Sequence, residues 1–216
     1  MSLWYDFLTH DQPVNQKWKH YFPIYELHFA RYVNRPLTMI EIGCGEGASL
    51  KMWKRYFGPY ARIIGLDVNP QCRALTEDQV EIRIGDQSDV EFLGSVVSEF
   101  GAPDIVIDDG SHMMRDVCAA FRFLYRRVAP GGIYLVEDLH TAYWEEYEGG
   151  YRRPGTFIEL CKQLVDELNG DHVRQGPPPT EFTRSTLSMH FYDSVVVFER
   201  GRHTRKFPAQ MPGWPG

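Results

Sequence analysis

Short apolar runs alternate with amphipathic stretches along most of the chain, and this alternation limits the possible folds more than any other feature. Strands are predicted at Thr38–Ile42, Ala61–Leu66, Val80–Ile84, Ile105–Ile107 and Ile133–Val136. Helices are predicted at Ala48–Phe57, Val90–Phe100 and Arg115–Val128. Because parallel strands need crossover connections, this order predicts an α/β fold with a doubly wound parallel sheet.

The C-terminal third of the chain departs from this alternation. An amphipathic helix is predicted at Phe157–Leu168, and the runs Ser185–His190 and Ser194–Glu199 are typical of a hairpin that turns at 191–193. This hairpin would complete a Rossmann-like, mostly parallel seven-stranded sheet with at least one antiparallel strand. The pattern predicts an N-terminal helical cap segment at 1–36, a main domain at 37–200 and a Pro/Gly-rich tail at 201–216.

Composition excludes several classes of protein. The 216 residues are 43% hydrophobic, which is enough for one well-cored domain, and the net charge of -6 argues against general attraction to nucleic acid or anionic membranes. The four cysteines form no C-x-x-C pair, and no apolar run approaches the ~20 residues that span a bilayer. We therefore expect a reduced, cytoplasmic protein in which Cys44 is a packed residue and not a nucleophile.

Three strand ends indicate a nucleotide-like ligand. The turn after the first strand contains three glycines, which let a ligand approach the backbone closely: Gly43, Gly45 and Gly47. Such a turn is weak evidence alone, since structural turns share it. Asp67 ends the second strand, where an acid can accept hydrogen bonds from both ribose hydroxyls. Asp86 and Gln87 follow the third strand and could bracket an adenine.

Two acidic pairs, Asp108-Asp109 and Glu137-Asp138, end two further strands. If these strands are neighbours, Asp109, Glu137 and Asp138 can form an oxygen-rich site for a hard cation. His112 follows Asp109 by three positions and could serve as a base beside that site. The alternative is that such acids satisfy loop amides and that His112 caps a helix. Alternation along the strand places Asp108 opposite Asp109, which favours the structural alternative for Asp108.

Three motifs together resemble those of class I S-adenosylmethionine-dependent methyltransferases: E-I-G-C-G-E-G-A-S, G-L-D with its acid, and G-D-Q-S-D. Three further motifs show a closer resemblance, to the magnesium-dependent sugar O-methyltransferases of macrolide antibiotic biosynthesis. They are I-D-D-G-S-H, P-G-G-I-Y-L-V-E-D and H-F-Y-D-S-V-V-V-F-E-R. The resemblance implies Mg²⁺ bound by Asp109, Glu137 and Asp138, with His112 and Asp109 catalytic. It also implies S-adenosylmethionine bound by residues at the strand ends and in the turns: Glu41, Gly43, Gly45, Gly47, Ser49, Asp67, Asp86, Gln87 and Asp108.

The implied activity is metal-dependent methyl transfer to a hydroxyl of a small-molecule acceptor, a sugar or glycosylated natural product. His140, Tyr143 and Trp144 could shape the acceptor pocket, and ordinary loop packing is the alternative for them. The aromatic N-terminal segment is expected to form helices that cap the cleft or contact a second subunit, giving a homo-oligomer, and simple packing against the sheet is the alternative. Two rivals are a hydroxylase, for which the sequence shows no clear two-histidine, one-carboxylate iron site, and a non-catalytic nucleotide-binding protein.

Overall fold

The computed structural model describes residues 2–9 and 16–203. Seven strands form one sheet: β1 Leu37–Ile42, β2 Ala61–Asp67, β3 Val80–Ile84, β4 Ile105–Asp108, β5 Ile133–Val136, β6 Thr186–Tyr192 and β7 Val195–Arg200. Their order is β3-β2-β1-β4-β5-β7-β6, with β1 to β5 parallel and β7 antiparallel to both neighbours. The predicted Rossmann-like, mostly parallel sheet with a terminal antiparallel hairpin is confirmed.

Seven α-helices accompany the sheet in the described residues: α1 Leu3–Thr9, α2 Tyr21–Phe29, α3 Ala48–Phe57, α4 Val90–Phe100, α5 Met114–Leu124, α6 Phe157–Leu168 and α7 Glu181–Ser185. The predicted bounds of α3, α4 and α6 agree with the structure. The predicted helix at Arg115–Val128 is α-helical only to Leu124, after which a 3-10 turn covers Tyr125–Arg127. Both ends of α4 have local causes, since Asp89 caps its first amides and Gly101 follows its last residue.

Strand register brings the predicted site to one edge of the sheet. Ile42 at the end of β1 pairs with Leu66 on one side and with Asp108 on the other, and Asp108 in turn pairs with Val136. The carboxyl ends of β1, β2, β4 and β5 therefore lie side by side. In an open parallel sheet this is the edge at which ligands bind.

The terminal hairpin turns later than predicted. Strand β6 continues through Phe191 to Tyr192, which pairs with Val195, so the turn consists of Asp193 and Ser194. The predicted turn at 191–193 is wrong because pairing continues to Tyr192, and a left-handed Ser194, with φ 62°, lets two residues close the hairpin.

Hydrophobic cores cover both faces of the sheet because alternate strand residues point to opposite sides. Ile40 and Val106 face the core that includes helices α4, α5 and α6. Met39 and Ile107 face the other core, where α2 and α3 contribute aromatic residues such as the fully buried Trp53. Helix α2 is thus fixed over the sheet, which positions the side chains described below.

Among residues 2–9 and 16–203, no helix has both the length and the apolar character needed to cross a bilayer. The four cysteines are free, and Cys44 is buried, as expected for a packed residue. Burial raises the pKa of the Cys44 thiol, which opposes a nucleophilic role. Most of the predicted tail at 201–216 lies outside the described residues.

Candidate active site

The glycine turn after β1 is held between two other strand ends. Gly43 has φ 82°, and a Cβ there would lie 2.1 Å from the carbonyl oxygen of Asp109, so only glycine fits this crossing. The amide of Gly45 donates to Asp67 Oδ2 at 2.9 Å, and the amide of Asn69 donates to Asp67 Oδ1 at 2.9 Å. The turn and the end of β2 are therefore joined through one carboxylate.

A cavity of about 340 Å³ opens beside this turn. Four predicted cofactor residues line it: Gly43, Asp67, Asp86 and Gln87. Gly110 and Ser111, which directly follow Asp109, form another part of its wall. Residues from four strand ends thus meet around one space, including the three strand ends that the sequence analysis singled out.

Glu41 and Ser49 do not line this cavity. Glu41 is fully buried and accepts hydrogen bonds from Ser49 Oγ at 3.0 Å and from Trp53 Nε1 at 3.2 Å. Burial raises the pKa of Glu41 to about 7. The structure gives these two residues the role of joining β1 to α3, and Gly45 and Gly47 likewise shape the turn without lining the cavity.

Asp108 also turns away from the cavity. Its buried carboxyl group accepts hydrogen bonds from Gln87 Nε2 at 3.2 Å and from Tyr134 OH at 3.0 Å, and burial raises its pKa to about 7. The other end of Gln87 accepts a hydrogen bond from the amide of Ser111 at 2.7 Å. Strand alternation directs the Asp108 side chain into the core, where it orients Gln87, and its direct contact with a cofactor stays a prediction.

The second acidic pair and His112 meet at the same edge of the sheet. Asp109, His112 and Asp138 each present one potential ligand atom, all within 4.8 Å of one another. His112 Nε2 lies 3.9 Å from Asp109 Oδ1 and 3.7 Å from Asp138 Oδ2, so the ring faces both carboxylates without a hydrogen bond to either. His112 and Asp138 have left-handed backbones, with φ 58° and 53°. Strained non-glycine residues of this kind are common in functional sites.

A buried lysine joins the two acidic pairs. Lys17 Nζ donates to Glu137 Oε2 at 2.6 Å and forms a short ion pair with Asp109, while the Lys17 side chain is only 3% exposed. Burial alone would lower the pKa of Lys17, but the charges of Glu137 and Asp109 outweigh burial and raise it well above the usual value. Burial raises the pKa of Glu137, and the Lys17 ammonium opposes that rise.

Two tyrosines of α2 complete the set of donors to these acids. Tyr21 OH donates to Asp138 Oδ1 at 2.6 Å, and Tyr25 OH donates to Glu137 Oε1 at 2.7 Å. The sequence analysis missed Lys17, Tyr21 and Tyr25 as site residues. The one available signal was their spacing of four residues, which places Tyr21 and Tyr25 on one helical face directly after Lys17.

Aromatic rings surround the open side of the acid cluster. His140 packs against Trp144 and Trp18, with ring centroids 4.8 and 5.8 Å away, and its Nδ1 lies 4.0 Å from Asp138 Oδ1. Tyr143 and Trp144 are about half exposed. Of the residues predicted to contact an acceptor, His140 lies beside Asp138 and Trp144 packs on His140, and exposed ring faces of this kind suit a sugar or a polyketide.

The chemistry of these groups fits a divalent cation. Carboxylate oxygens of Asp109 and Asp138 face one another beside Glu137, and oxygen ligands of this kind suit Mg²⁺. The Lys17 ammonium lies between Asp109 and Glu137, so these two acids already surround one positive charge. Asp109, Glu137 and Asp138 would hold the ion.

The parallel sheet with an antiparallel β7, the glycine turn after β1 and the cavity beside it define the Rossmann-like methyltransferase fold. Residues 40–136 match the family described as "Methyltransferase domain", so the chain contains a methyltransferase domain.

The chain is similar to known sugar O-methyltransferases over most of its length. It is 38% identical to the mycinamicin VI 2''-O-methyltransferase of Micromonospora griseorubida, with 90% of this chain and 51% of that protein aligned. It is 40% identical to the 8-demethyl-8-(2-methoxy-alpha-L-rhamnosyl)-tetracenomycin-C 3'-O-methyltransferase of Streptomyces olivaceus, with 87% and 50% aligned. The chain thus spans about half the length of these curated relatives.

A solved structure supports the same relationship. The MycE methyltransferase of the mycinamycin biosynthetic pathway, in complex with Mg and SAH, superimposes with a TM-score of 0.81 and 34% identity. The alignment covers 93% of this chain and 54% of that chain.

Proposed function

We propose that this methyltransferase domain transfers the methyl group of S-adenosylmethionine to a hydroxyl of a sugar, in a reaction that requires a divalent cation, Mg²⁺ by preference. The observation that carries the proposal is the turn from Asp109 to His112. Gly110 and Ser111 of this turn line the cavity assigned to the cofactor, whereas Asp109 and His112 face Asp138 in the acid cluster. One short segment thus adjoins both a cofactor site and a site for acceptor activation.

The proposed chemistry is a single displacement. His112 Nε2 accepts the proton of the acceptor hydroxyl, the acceptor oxygen forms a bond to the methyl carbon, and the carbon–sulfur bond breaks to leave neutral S-adenosylhomocysteine. Asp109, Glu137 and Asp138 would hold a divalent cation, whose positive charge would lower the pKa of the acceptor hydroxyl. Asp67 would bind the ribose hydroxyls, and the glycine turn would admit the cofactor backbone.

The relatives act on glycosylated natural products, and the aromatic rings around the acid cluster support an acceptor of the same class. We therefore propose a small-molecule glycoside as the acceptor. We also propose that the chain forms a homo-oligomer and that it acts in the cytoplasm.

The test uses purified protein, methyl-labelled S-adenosylmethionine and a set of glycosides, with Mg²⁺ or with a strong chelator. We expect labelled product in the presence of Mg²⁺ and none in the presence of the chelator. Asp109→Asn should lose roughly two orders of magnitude in turnover, while its binding of S-adenosylhomocysteine should be unchanged. The exposed acid Asp166 provides the matched control Asp166→Asn. Full activity in chelator and in Asp109→Asn would refute the assigned roles.

A further inference from the structure

Three potential metal ligands converge between α2 and the terminal hairpin, and none of them is one of the acids of the candidate active site. His28 comes from α2, His190 from β6 and Glu199 from β7, and their nearest ligand atoms all lie within 4.8 Å of one another. The sequence gave no sign of this group because 162 positions separate the two histidines along the chain. Only the packing of α2 on the sheet brings two imidazoles and one carboxylate together.

The spacing of these atoms suits an ion better than a direct hydrogen bond. His28 Nδ1 lies 3.6 Å from Glu199 Oε1, which exceeds the usual hydrogen-bond length. Two ligands that each lie ~2.0–2.1 Å from a tetrahedral Zn²⁺ are about 3.4 Å apart, so a small adjustment admits the ion. The His28 and His190 rings are already close, with centroids 4.7 Å apart.

Hydroxyl groups orient the three side chains. His28 Nε2 lies 2.9 Å from Tyr192 OH, which directs the Nδ1 atom of the same ring toward Glu199. Ser188 Oγ lies 2.9 Å from His190 Nε2 and donates to Glu199 Oε2 at 3.2 Å. Outer partners of this kind fix ring and carboxylate orientation in protein metal sites.

One cation already contacts the carboxylate. Arg31 Nη1 lies 3.4 Å from Glu199 Oε1, and Arg31 Nη2 donates to the carbonyl oxygen of Gly131 at 3.2 Å. Because the Arg31 side chain is 47% exposed, its ion pair with Glu199 is weak and does not replace a bound ion. Two imidazoles with one carboxylate are the donor set that the sequence did not reveal, and they favour transition metals such as Zn²⁺ and Fe²⁺ over Mg²⁺. The oxygen-only donors of Asp109, Glu137 and Asp138 favour Mg²⁺. The two groups of residues therefore select different ions.

We propose that His28, His190 and Glu199 form a second metal site, specific for a transition metal of the Zn²⁺ type. The bound ion joins α2 to the terminal hairpin. Because α2 also carries Tyr21 and Tyr25, the ion stabilises the helix that holds Asp138 and Glu137 in place.

The test measures binding of Zn²⁺, and of Co²⁺ as its spectroscopic substitute, to purified chelator-stripped protein without a histidine tag. We expect one tightly bound Zn²⁺ per chain, a rise in Tm on its addition, and visible Co²⁺ absorption of a tetrahedral site. His190→Ala should reduce Zn²⁺ affinity at least ~10-fold and abolish the rise in Tm. The exposed His172 provides the control His172→Ala, which should match the parent.

Zn²⁺ could also bind at the acids of the candidate active site. To distinguish the two sites, the titration is repeated in Asp109→Asn, in which the proposed site should remain intact. Glu199→Gln keeps the size of the side chain and should weaken binding without unfolding the hairpin. Equal Zn²⁺ binding by the parent, His190→Ala and Glu199→Gln would overturn the proposal, as would the absence of binding to folded parent protein. Neither readout depends on methyl transfer, so this proposal and the proposed function can fail separately.

Discussion

The ammonium of Lys17 lies 2.6 Å from the carboxylate of Glu137, in a site where the lysine side chain is almost completely buried. The same ammonium pairs with Asp109, so one lysine bridges acids from the ends of two neighbouring strands. A divalent ion bound by the same carboxylate oxygens would take the place of this ammonium. We therefore expect Lys17 and the proposed ion to compete for these oxygens.

Replacing Lys17 with Met should make ion binding tighter and the ion-free protein less stable. The substitution keeps the length of the side chain but removes its charge, which leaves the acids without a buried counter-charge at a cost of ~3 kcal/mol. We expect the affinity for Mn²⁺, measured by electron paramagnetic resonance, to rise at least ~10-fold. Lys19→Met is the control, since Lys19 is exposed. Unchanged Mn²⁺ affinity in Lys17→Met would rule out the competition.

His112→Gln should lower turnover by roughly 10²–10⁴-fold, because the acceptor hydroxyl loses the group that takes its proton. Binding of S-adenosylhomocysteine, measured by calorimetry, should remain unchanged, since His112 does not line the cofactor cavity. His172→Gln serves as the control for a histidine far from the acids. Comparable turnover in both variants would contradict the role of His112 as base.

Tyr25→Phe should destabilise the protein by ~1–3 kcal/mol, because the substitution leaves a buried oxygen of Glu137 without its hydrogen-bond donor. The measurement is urea unfolding with the metal removed. Tyr60 is 63% exposed, and Tyr60→Phe should leave the unfolding midpoint unchanged. Equal midpoints for the two variants would show that the Tyr25 hydroxyl contributes nothing to stability.

Gly43→Ala should destabilise the fold far more than Gly45→Ala. Both glycines have positive φ, 82° and 49°, so both substitutions carry a backbone cost of ~1–2 kcal/mol for a left-handed alanine. A Cβ at Gly43 would also lie 2.1 Å from the backbone of Asp109, whereas nothing lies within 4 Å of one at Gly45. The difference in unfolding midpoint between the two variants measures the cost of this steric clash. Similar midpoints would mean that the backbones at Gly43 and Asp109 move apart easily.

The parent protein should lose stability as the pH rises, and Asp108→Asn should lose less. In the folded protein the pKa of Asp108 is raised to about 7, whereas an unfolded Asp loses its proton near ~3.9. Between these values the folded state binds more protons, so stability falls as pH increases from about 4 to 7. Raising the pH from about 5 to 8 should therefore lower Tm more in the parent than in Asp108→Asn.

The exposed Asp166 gives the control Asp166→Asn, whose pH dependence should match the parent. Glu41 has a pKa raised in the same direction, so part of the pH dependence should persist in Asp108→Asn. Parallel curves for parent and Asp108→Asn would contradict the raised pKa.

Much of the fold could be predicted from local pattern. Strands β3 and β5 and helices α3, α4 and α6 were predicted at their observed bounds, since hydrophobic period, caps and glycines act over a few residues. Asp67, Asp86, Gln87 and Asp109 were also placed at the correct edge, because parallel strands all end there. The turn of the hairpin was misplaced since β-propensity does not reveal where pairing stops.

Sequence by itself determined the order of strands and helices, the glycine turn and the two acidic pairs, because each depends on neighbours along the chain. Only the tertiary structure decided that Lys17 and Tyr25 bind Glu137 and that His28 meets His190. These contacts join residues more than a hundred positions apart, and they form because α2 packs on one face of the sheet. The hydrophobic periodicity of a sequence does not identify the partner of a buried charge. That partner depends on which oppositely charged or hydrogen-bonding group the folded chain places beside the charge.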